Sequence, residues 1–322
     1  MPTQVNSNHK MTKLSLTNYK ILRILGKGSF GKVYLIQSKL TNEYYAMKQI
    51  SKENMTRDDR TRINREIELL SKVSHPNIVQ MKQLIVTSSY YLIIMEYCSN
   101  GELFNYIVRK QLLNDNEASV FFYQIISAIS YLHSISIIHR DIKPENFLLG
   151  KAKQKTIYLI DYGCSKLYMN AKKHEHIPFK EGIQNIIGTE RYCSIYTHLG
   201  KEQSRRDDIE SFVYVMIYLL KGKLPWMGIR AKTKREKVDK IKEKKLTVTC
   251  KELCDDYEEV WELLNYAREM RYEEEPDYKM IKNTILEMLD QRDIKVDNVF
   301  EWEGLDLEKE EEKMNKEESK KK

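Results

Sequence analysis

His139-Arg140-Asp141-Ile142-Lys143-Pro144-Glu145-Asn146 gathers an aspartate, a lysine two residues on and an asparagine five residues on. Phosphoryl transfer from ATP needs that set. A carboxylate orients the attacking hydroxyl, a cation offsets charge on the migrating group, and an amide oxygen holds Mg²⁺. A polar turn that happens to be rich in Asp and Asn is the bland alternative. The rest of the chain decides between them.

Upstream lies Leu25-Gly26-Lys27-Gly28-Ser29-Phe30-Gly31-Lys32-Val33. A G-x-G-x-x-G pattern alone also occurs in dinucleotide-binding folds, where it joins a strand to a helix. Here Val33-Tyr34-Leu35-Ile36 is rich in β-formers. Thr41-Asn42-Glu43 reads as a turn, and Tyr44-Tyr45-Ala46-Met47-Lys48 as a second strand. The glycines therefore belong to a β-hairpin, where their missing Cβ lets backbone approach phosphates. Ala46 lies two residues before Lys48, on the same strand face. With Val33 it would cover an adenine while Lys48 reaches the phosphates. A helix is expected over Arg60–Val73, with Ile63, Ile67, Leu70 and Val73 as its apolar stripe. Glu66 on that helix is the expected partner of Lys48, with Glu68 as the alternative. Ile157-Tyr158-Leu159-Ile160 reads as a short buried strand delivering Asp161, a second Mg²⁺ ligand. Tyr162 follows it, and its hydroxyl needs a partner if buried.

These motifs, in this order, resemble the eukaryotic protein kinases over residues 19–302. The resemblance implies an α+β, bilobal fold. An N-terminal lobe, 19–97, would be an antiparallel sheet with one helix. A mainly helical C-terminal lobe would span 98–302, with ATP between the two. It also implies that Glu96 and Cys98 offer hinge backbone to the adenine, with Leu148 on its lower face. Asp141, Lys143 and Thr189 would be catalytic, with Thr189 hydrogen-bonded to both of the others. Asn146 and Asp161 would hold the metal, and Asp208 would brace the catalytic loop. Lys143 points to serine and threonine rather than tyrosine as acceptors.

The C-terminal half lacks the Ala-Pro-Glu of most kinases. Gly188-Thr189-Glu190-Arg191-Tyr192-Cys193-Ser194-Ile195-Tyr196, Thr197-His198-Leu199-Gly200 and Glu202-Gln203-Ser204-Arg205-Arg206-Asp207-Asp208-Ile209-Glu210-Ser211 resemble the casein kinase 1 family instead. So do Leu224-Pro225-Trp226, Glu243-Lys244-Lys245 and Glu275-Pro276-Asp277-Tyr278. The N-terminal half, with Arg65-Glu66-Ile67 and His75-Pro76-Asn77-Ile78-Val79, looks more like the calmodulin-dependent and AMP-activated kinases. A divergent casein kinase 1 member is the reading. It implies an anion site at Arg191 and Lys237, aided by backbone near Gly228, for acidic or phospho-primed substrates. Three departures stand out. Glu190 replaces alanine and could neutralise that site, Tyr196 replaces asparagine, and Pro178–Gly188 is one residue longer.

Composition is compatible with this. The chain has 322 residues, 41% of them hydrophobic, and a formal charge of +7. From Lys221 to Lys245 there are 11 basic and 3 acidic residues; from Lys251 to Asp290 there are 5 basic and 13 acidic. The basic run lacks the interleaved aromatics of a single-strand platform, so nucleic acid is not the expected partner. Five cysteines without a zinc spacing read as free thiols. No secretory leader and no membrane-length apolar run is present, so a monomeric cytoplasmic or nuclear protein without a membrane partner is expected. Residues 1–18 and 303–322 are polar or charged and read as disordered. A kinase-shaped scaffold without turnover would show loss of Lys48, Asp141, Asn146 or Asp161, and all four are present.

Overall fold

Tyr19 to Glu96 carries five strands and one helix in a computed structural model. The structure describes residues 16–28, 31–110, 113, 115–150, 156–170, 172–255 and 257–291. Strands β1 (Tyr19–Gly28), β2 (Gly31–Ser38) and β3 (Tyr44–Ser51) precede helix α1 (Arg57–Lys72), and β4 (Met81–Val86) and β5 (Tyr90–Glu96) follow it. The sheet order is β1-β2-β3-β5-β4, with every pairing antiparallel. The turn expected at Thr41-Asn42-Glu43 is found over residues 39–41, with Asn42 and Glu43 leading into β3. Asn42 adopts a φ of 59°, a left-handed conformation that asparagine tolerates better than most residues. One sheet face packs Ile36, Met47, Leu92 and Ile94, flanked by Tyr19, Tyr34, Tyr45 and Ile85.

Helix α1 begins three residues earlier than the apolar stripe indicates. Thr56 explains this. Its hydroxyl accepts from the Asp59 N–H, and the Asp59 carboxylate accepts from the Thr56 N–H, so the first turn is capped reciprocally. The 3-10 turn Leu16–Asn18 falls within the start expected to lack structure, and its Asn18 carbonyl accepts from the Lys39 N–H.

The remaining elements are mainly helical. They are α2 (Leu103–Lys110), α3 (Asp115–Ser134), β6 (Ile137–Ile138), β7 (Phe147–Leu149), β8 (Ile157–Leu159), β9 (Lys166–Leu167), β10 (Met169–Asn170) and β11 (Glu175–His176). Then come α4 (Ile195–His198), α5 (Arg205–Lys221), α6 (Lys234–Thr247), α7 (Cys250–Cys254), α8 (Glu258–Glu269) and α9 (Tyr278–Gln291). Helix α5 is buried over nearly its whole length. Its apolar run from Phe212 to Leu220 meets α3, where Phe122 and Phe212 pack edge to face. Gly222, at a φ of 68°, ends it as helix C-termini favour.

The chain divides into two compact units. One comprises the described residues through Ile67 with Gln80–Tyr97. The other comprises Glu68–Val79 and the described residues from Cys98 onward. One division falls between Tyr97 and Cys98, and Glu68–Val79 groups with the second unit. Ser29, Phe30, residues 292–302 of the expected kinase domain and the charged tail lie outside the described residues. No described helix is long and apolar enough to cross a membrane.

Candidate active site

In the first unit, pairing of Val33 with Lys48 and of Leu35 with Ala46 places these four residues on one face of the β2–β3 ladder. Lys48 Nζ lies 2.5 Å from Glu66 Oε1, and Glu66 is buried. Glu68 turns instead to Lys72, one helical turn along α1. The β1–β2 hairpin pairs Gly26 with Val33, Lys27 with Lys32 and Gly28 with Gly31. Its glycines have different reasons. A Cβ on Gly26 would meet nothing within 4 Å, which leaves room for a ligand. A Cβ on Gly31 would lie 1.8 Å from the Gln49 carbonyl oxygen, so β3 itself demands glycine there. The Glu96 N–H donates to the Gln80 carbonyl, and its carboxylate pairs with Lys82 at 2.8 Å.

In the second unit, the catalytic-loop residues converge. Asp141 Oδ2 accepts from Lys143 Nζ at 2.7 Å and from Asn146 Nδ2 at 3.1 Å. Asp141 Oδ1 accepts from the Thr189 hydroxyl at 2.8 Å, and that hydroxyl accepts from Lys143 Nζ at 2.9 Å. Burial acts to lower the Lys143 pKa, but the carboxylates of Asp141, Glu145 and Asp161 outweigh it and hold the ammonium above its ordinary value.

The loop is anchored from beneath by Asp208. Its two oxygens accept from the backbone N–H groups of His139 and Arg140, each at 2.7 Å, and from His133 Nε2 at 2.9 Å. Burial acts to raise the Asp208 pKa, but His133 and these donors keep it below its ordinary value. The bracing stabilises a strained backbone, since Arg140 has a φ of 67°. The Asp141 N–H donates to His139 Nδ1, so the other ring nitrogen carries the proton and donates to the Ile160 carbonyl.

Asn146 and Asp161 are linked through backbone, because the Ile160 N–H donates to the Asn146 carbonyl. The Asn146 amide nitrogen is committed to the carbonyl and carboxylate of Asp141, which leaves its side-chain oxygen for a cation. Asp161 is exposed, with a φ of 67° and one oxygen accepting from the Gly163 N–H. One amide oxygen and one carboxylate suit Mg²⁺, which keeps waters and takes phosphate oxygens for its other positions. Among the described residues no group of three or more His, Cys, Asp or Glu side chains could hold a metal.

A family model described as the protein kinase domain matches residues 19–292. The chain belongs to the protein kinase family. It is a phosphotransferase with protein substrates.

Two tyrosines of this kinase acquire physical content. Tyr162 is 1% exposed and packs edge to face on His139. The partner expected for its hydroxyl is not found among the described residues. Burial raises the phenol far above its ordinary pKa, so it stays protonated. Tyr196 stacks its ring on the Arg206 guanidinium at 3.7 Å and donates its hydroxyl to the Arg268 carbonyl, neither of which an asparagine could reproduce. Cys164, next to the catalytic loop, has its thiol pKa raised by burial and by the carboxylates of Asp141 and Asp161, which disfavours a reactive thiolate.

The expected anion-site residues lie in the second unit. The Arg191 guanidinium sits 5.8 Å from the Tyr192 ring, and the Arg191 carbonyl accepts from Trp226 Nε1. Lys237, on the first turn of α6, is about half exposed, and Gly228 has a φ of 76° with open space where a Cβ would be. The Glu190 carboxylate lies 3.5 Å from Lys237 Nζ, so it engages the lysine of the pair.

Lys245, the last residue of the basic run, is 0% exposed. Its ammonium donates to the carbonyls of Glu190 at 3.1 Å and Cys193 at 2.6 Å, over the rings of Tyr214 and Trp226. Burial lowers its pKa. The signal was there to read. Val238, Ile241 and Lys245 share one helical face, which puts a lysine at a core position. Lys221, at the start of the same run, is tied to the Leu253 carbonyl and Asp255.

Proposed function

We propose that this kinase transfers the γ-phosphate of ATP to serine or threonine in acidic or phospho-primed proteins, in the manner of the casein kinase 1 family. The observation that carries this is the closed triangle of Asp141, Lys143 and Thr189. Three donors converge on the Asp141 carboxylate, so it is oriented before substrate arrives. It would position the acceptor hydroxyl and take its proton late, as the oxygen bonds to phosphorus. Lys143 would stand against the charge on the transferred group. Lys48, held by Glu66, would meet the phosphates, with Gly26 leaving room for them beside the backbone. Mg²⁺, bound through Asn146 and Asp161, would neutralise phosphate charge. In the first unit, Val33, Ala46 and the backbone of Glu96 would contact the adenine.

Serine/threonine choice is supported by Lys143, and the casein kinase 1 mode by the strings from Gly188 to Ser211. Arg191 would grip an anion bidentately and Lys237 would add a point charge. The test is phosphorylation of a matched peptide set carrying phosphoserine, glutamate or alanine three positions before the acceptor. Wild type should prefer the phosphopeptide. The two charge-assisted contacts correspond to about a 5- to 150-fold preference. Loss of that preference in the Arg191→Ala, Lys237→Ala variant would support the site. A wild type indifferent to the upstream anion would refute it.

A further inference from the structure

The Glu190 backbone is held firmly. Its carbonyl accepts from the buried Lys245 ammonium and from His198 Nε2, each at 3.1 Å. The next turn is fixed as well, since Lys245 also binds the Cys193 carbonyl and Trp226 Nε1 binds the Arg191 carbonyl. The Glu190 side chain leaves this scaffold toward α6, where it meets Lys237. Partial burial acts to raise its pKa, but its own backbone N–H, Lys237 and Lys234 bring the carboxyl below its ordinary value, so it is ionised at neutral pH. Side-chain exposures of 26% for Glu190 and 46% for Lys237 leave both partners within reach of a peptide.

We propose that Glu190 is a specificity-determining residue that occupies Lys237 with an internal carboxylate, so that the site favours a phosphorylated residue over aspartate or glutamate. This rests on the reading of Arg191 and Lys237 as the substrate-anion site. Glu190 formally cancels Lys237, which leaves the charge of Arg191 with Lys234 nearby. A substrate carboxylate that reaches Lys237 exchanges one carboxylate for another and gains little. A phosphate carries a charge of about −1.5 to −2 and three strong acceptor oxygens. It can take the Arg191 fork in two bonds and still draw Lys237 away, because an exposed pair holds its partners weakly. Alanine at position 190 would leave Lys237 open to either anion.

The experiment compares kcat/KM of wild type, Glu190→Gln and Glu190→Ala on peptides with phosphoserine, glutamate or alanine three positions before the acceptor. Both variants should raise kcat/KM on the glutamate peptide about fivefold, the effect of freeing one exposed ion pair. The phosphopeptide should gain less, so the phosphoserine-to-glutamate ratio should fall about threefold or more in both variants. Glu190→Gln keeps the size of the side chain, so agreement between the variants assigns the effect to charge. An unchanged ratio, an equal gain on both peptides, or a loss on the glutamate peptide would overturn the role of Glu190. If wild type still prefers phosphoserine to alanine in that case, the anion site itself stands. If wild type shows no such preference, the anion-site reading fails and this inference fails with it.

Discussion

Gly188 approaches Arg140 so closely that a Cβ on the glycine would lie 2.3 Å from the Arg140 carbonyl oxygen. Gly188 also has a φ of 95°, which side chains rarely adopt. That close approach is how Thr189, the next residue, reaches Asp141. Gly188→Ala should therefore displace the Thr189 hydroxyl and lower kcat by about 10²-fold, the usual cost of an ångström-scale misplacement. A steady-state assay on a good peptide substrate checks it. A variant with near-wild-type kcat would show that the contact is not needed.

Asp141→Asn should abolish transfer, with a loss of about 10²- to 10⁴-fold in kcat expected for removing a positioned base. The neighbouring Lys143, Thr189 and Asn146 contacts hold the side chain in place, so a folded protein is expected. Calorimetric titration with nucleotide should find ATP affinity close to wild type, because Asp141 acts on the acceptor hydroxyl. Comparable turnover in the variant would remove Asp141 from the chemistry.

Activity should not need phosphorylation of the activation segment. Between Ser165 and Thr189 the only hydroxyl is that of Tyr168. Tyr168 is 4% exposed and donates to the His133 carbonyl at 2.6 Å, so it is inaccessible to another kinase. The arginine that would pair with a phosphate is Arg140, and its Nε already donates to the Cys164 carbonyl at 2.6 Å. Bacterially produced, phosphatase-treated protein should keep its rate. A tenfold loss, reversed by rephosphorylation, would count against it.

Tyr162→Phe should stabilise the protein. The buried hydroxyl has no partner among the described residues, and such a group costs about 1 to 3 kcal/mol. Removing it keeps the ring packing on His139. Thermal unfolding should shift upward by a few degrees. A downward shift would show that the hydroxyl is bonded.

Asp208→Asn should destabilise the catalytic unit by about 3 kcal/mol at neutral pH, since three donors lose a charged acceptor. The sign of its pH dependence follows from the direction of the shift. The folded-state pKa is depressed below 3.8, so the stabilisation is fully present above that value. It is lost as pH falls through the folded pKa. The stability gap between wild type and variant, measured by urea unfolding, should hold from pH 7 to near 4 and narrow below. A gap that changes between pH 7 and 5 would assign it to another group.

The parts of this kinase legible in the sequence are those set by neighbours along the chain. Asp141, Lys143 and Asn146 lie in one eight-residue loop, and Asn146 reaches back to the Asp141 carbonyl within it. The strand-turn-strand reading of residues 33–48 rests on β-forming residues and turn chemistry. The Glu66 partnership follows from helical phase, though the helix start at Thr56 did not show in the apolar stripe. Tertiary structure alone decided which distant groups those elements meet. Sequence neighbours set Glu190 against Arg191, whereas packing of α6 brings it to Lys237, 47 positions away. Lys245 counts as a surface charge by composition, and only the aromatic floor of Tyr214 and Trp226 makes it an interior donor. Tyr162 shows the reverse, because a rule that buried hydroxyls find partners could not reveal that no described residue supplies one here. The physical reason is range. Backbone sterics and side-chain periodicity act over a few residues and are written in order along the chain, whereas desolvation and charge pairing depend on which faces the fold buries together.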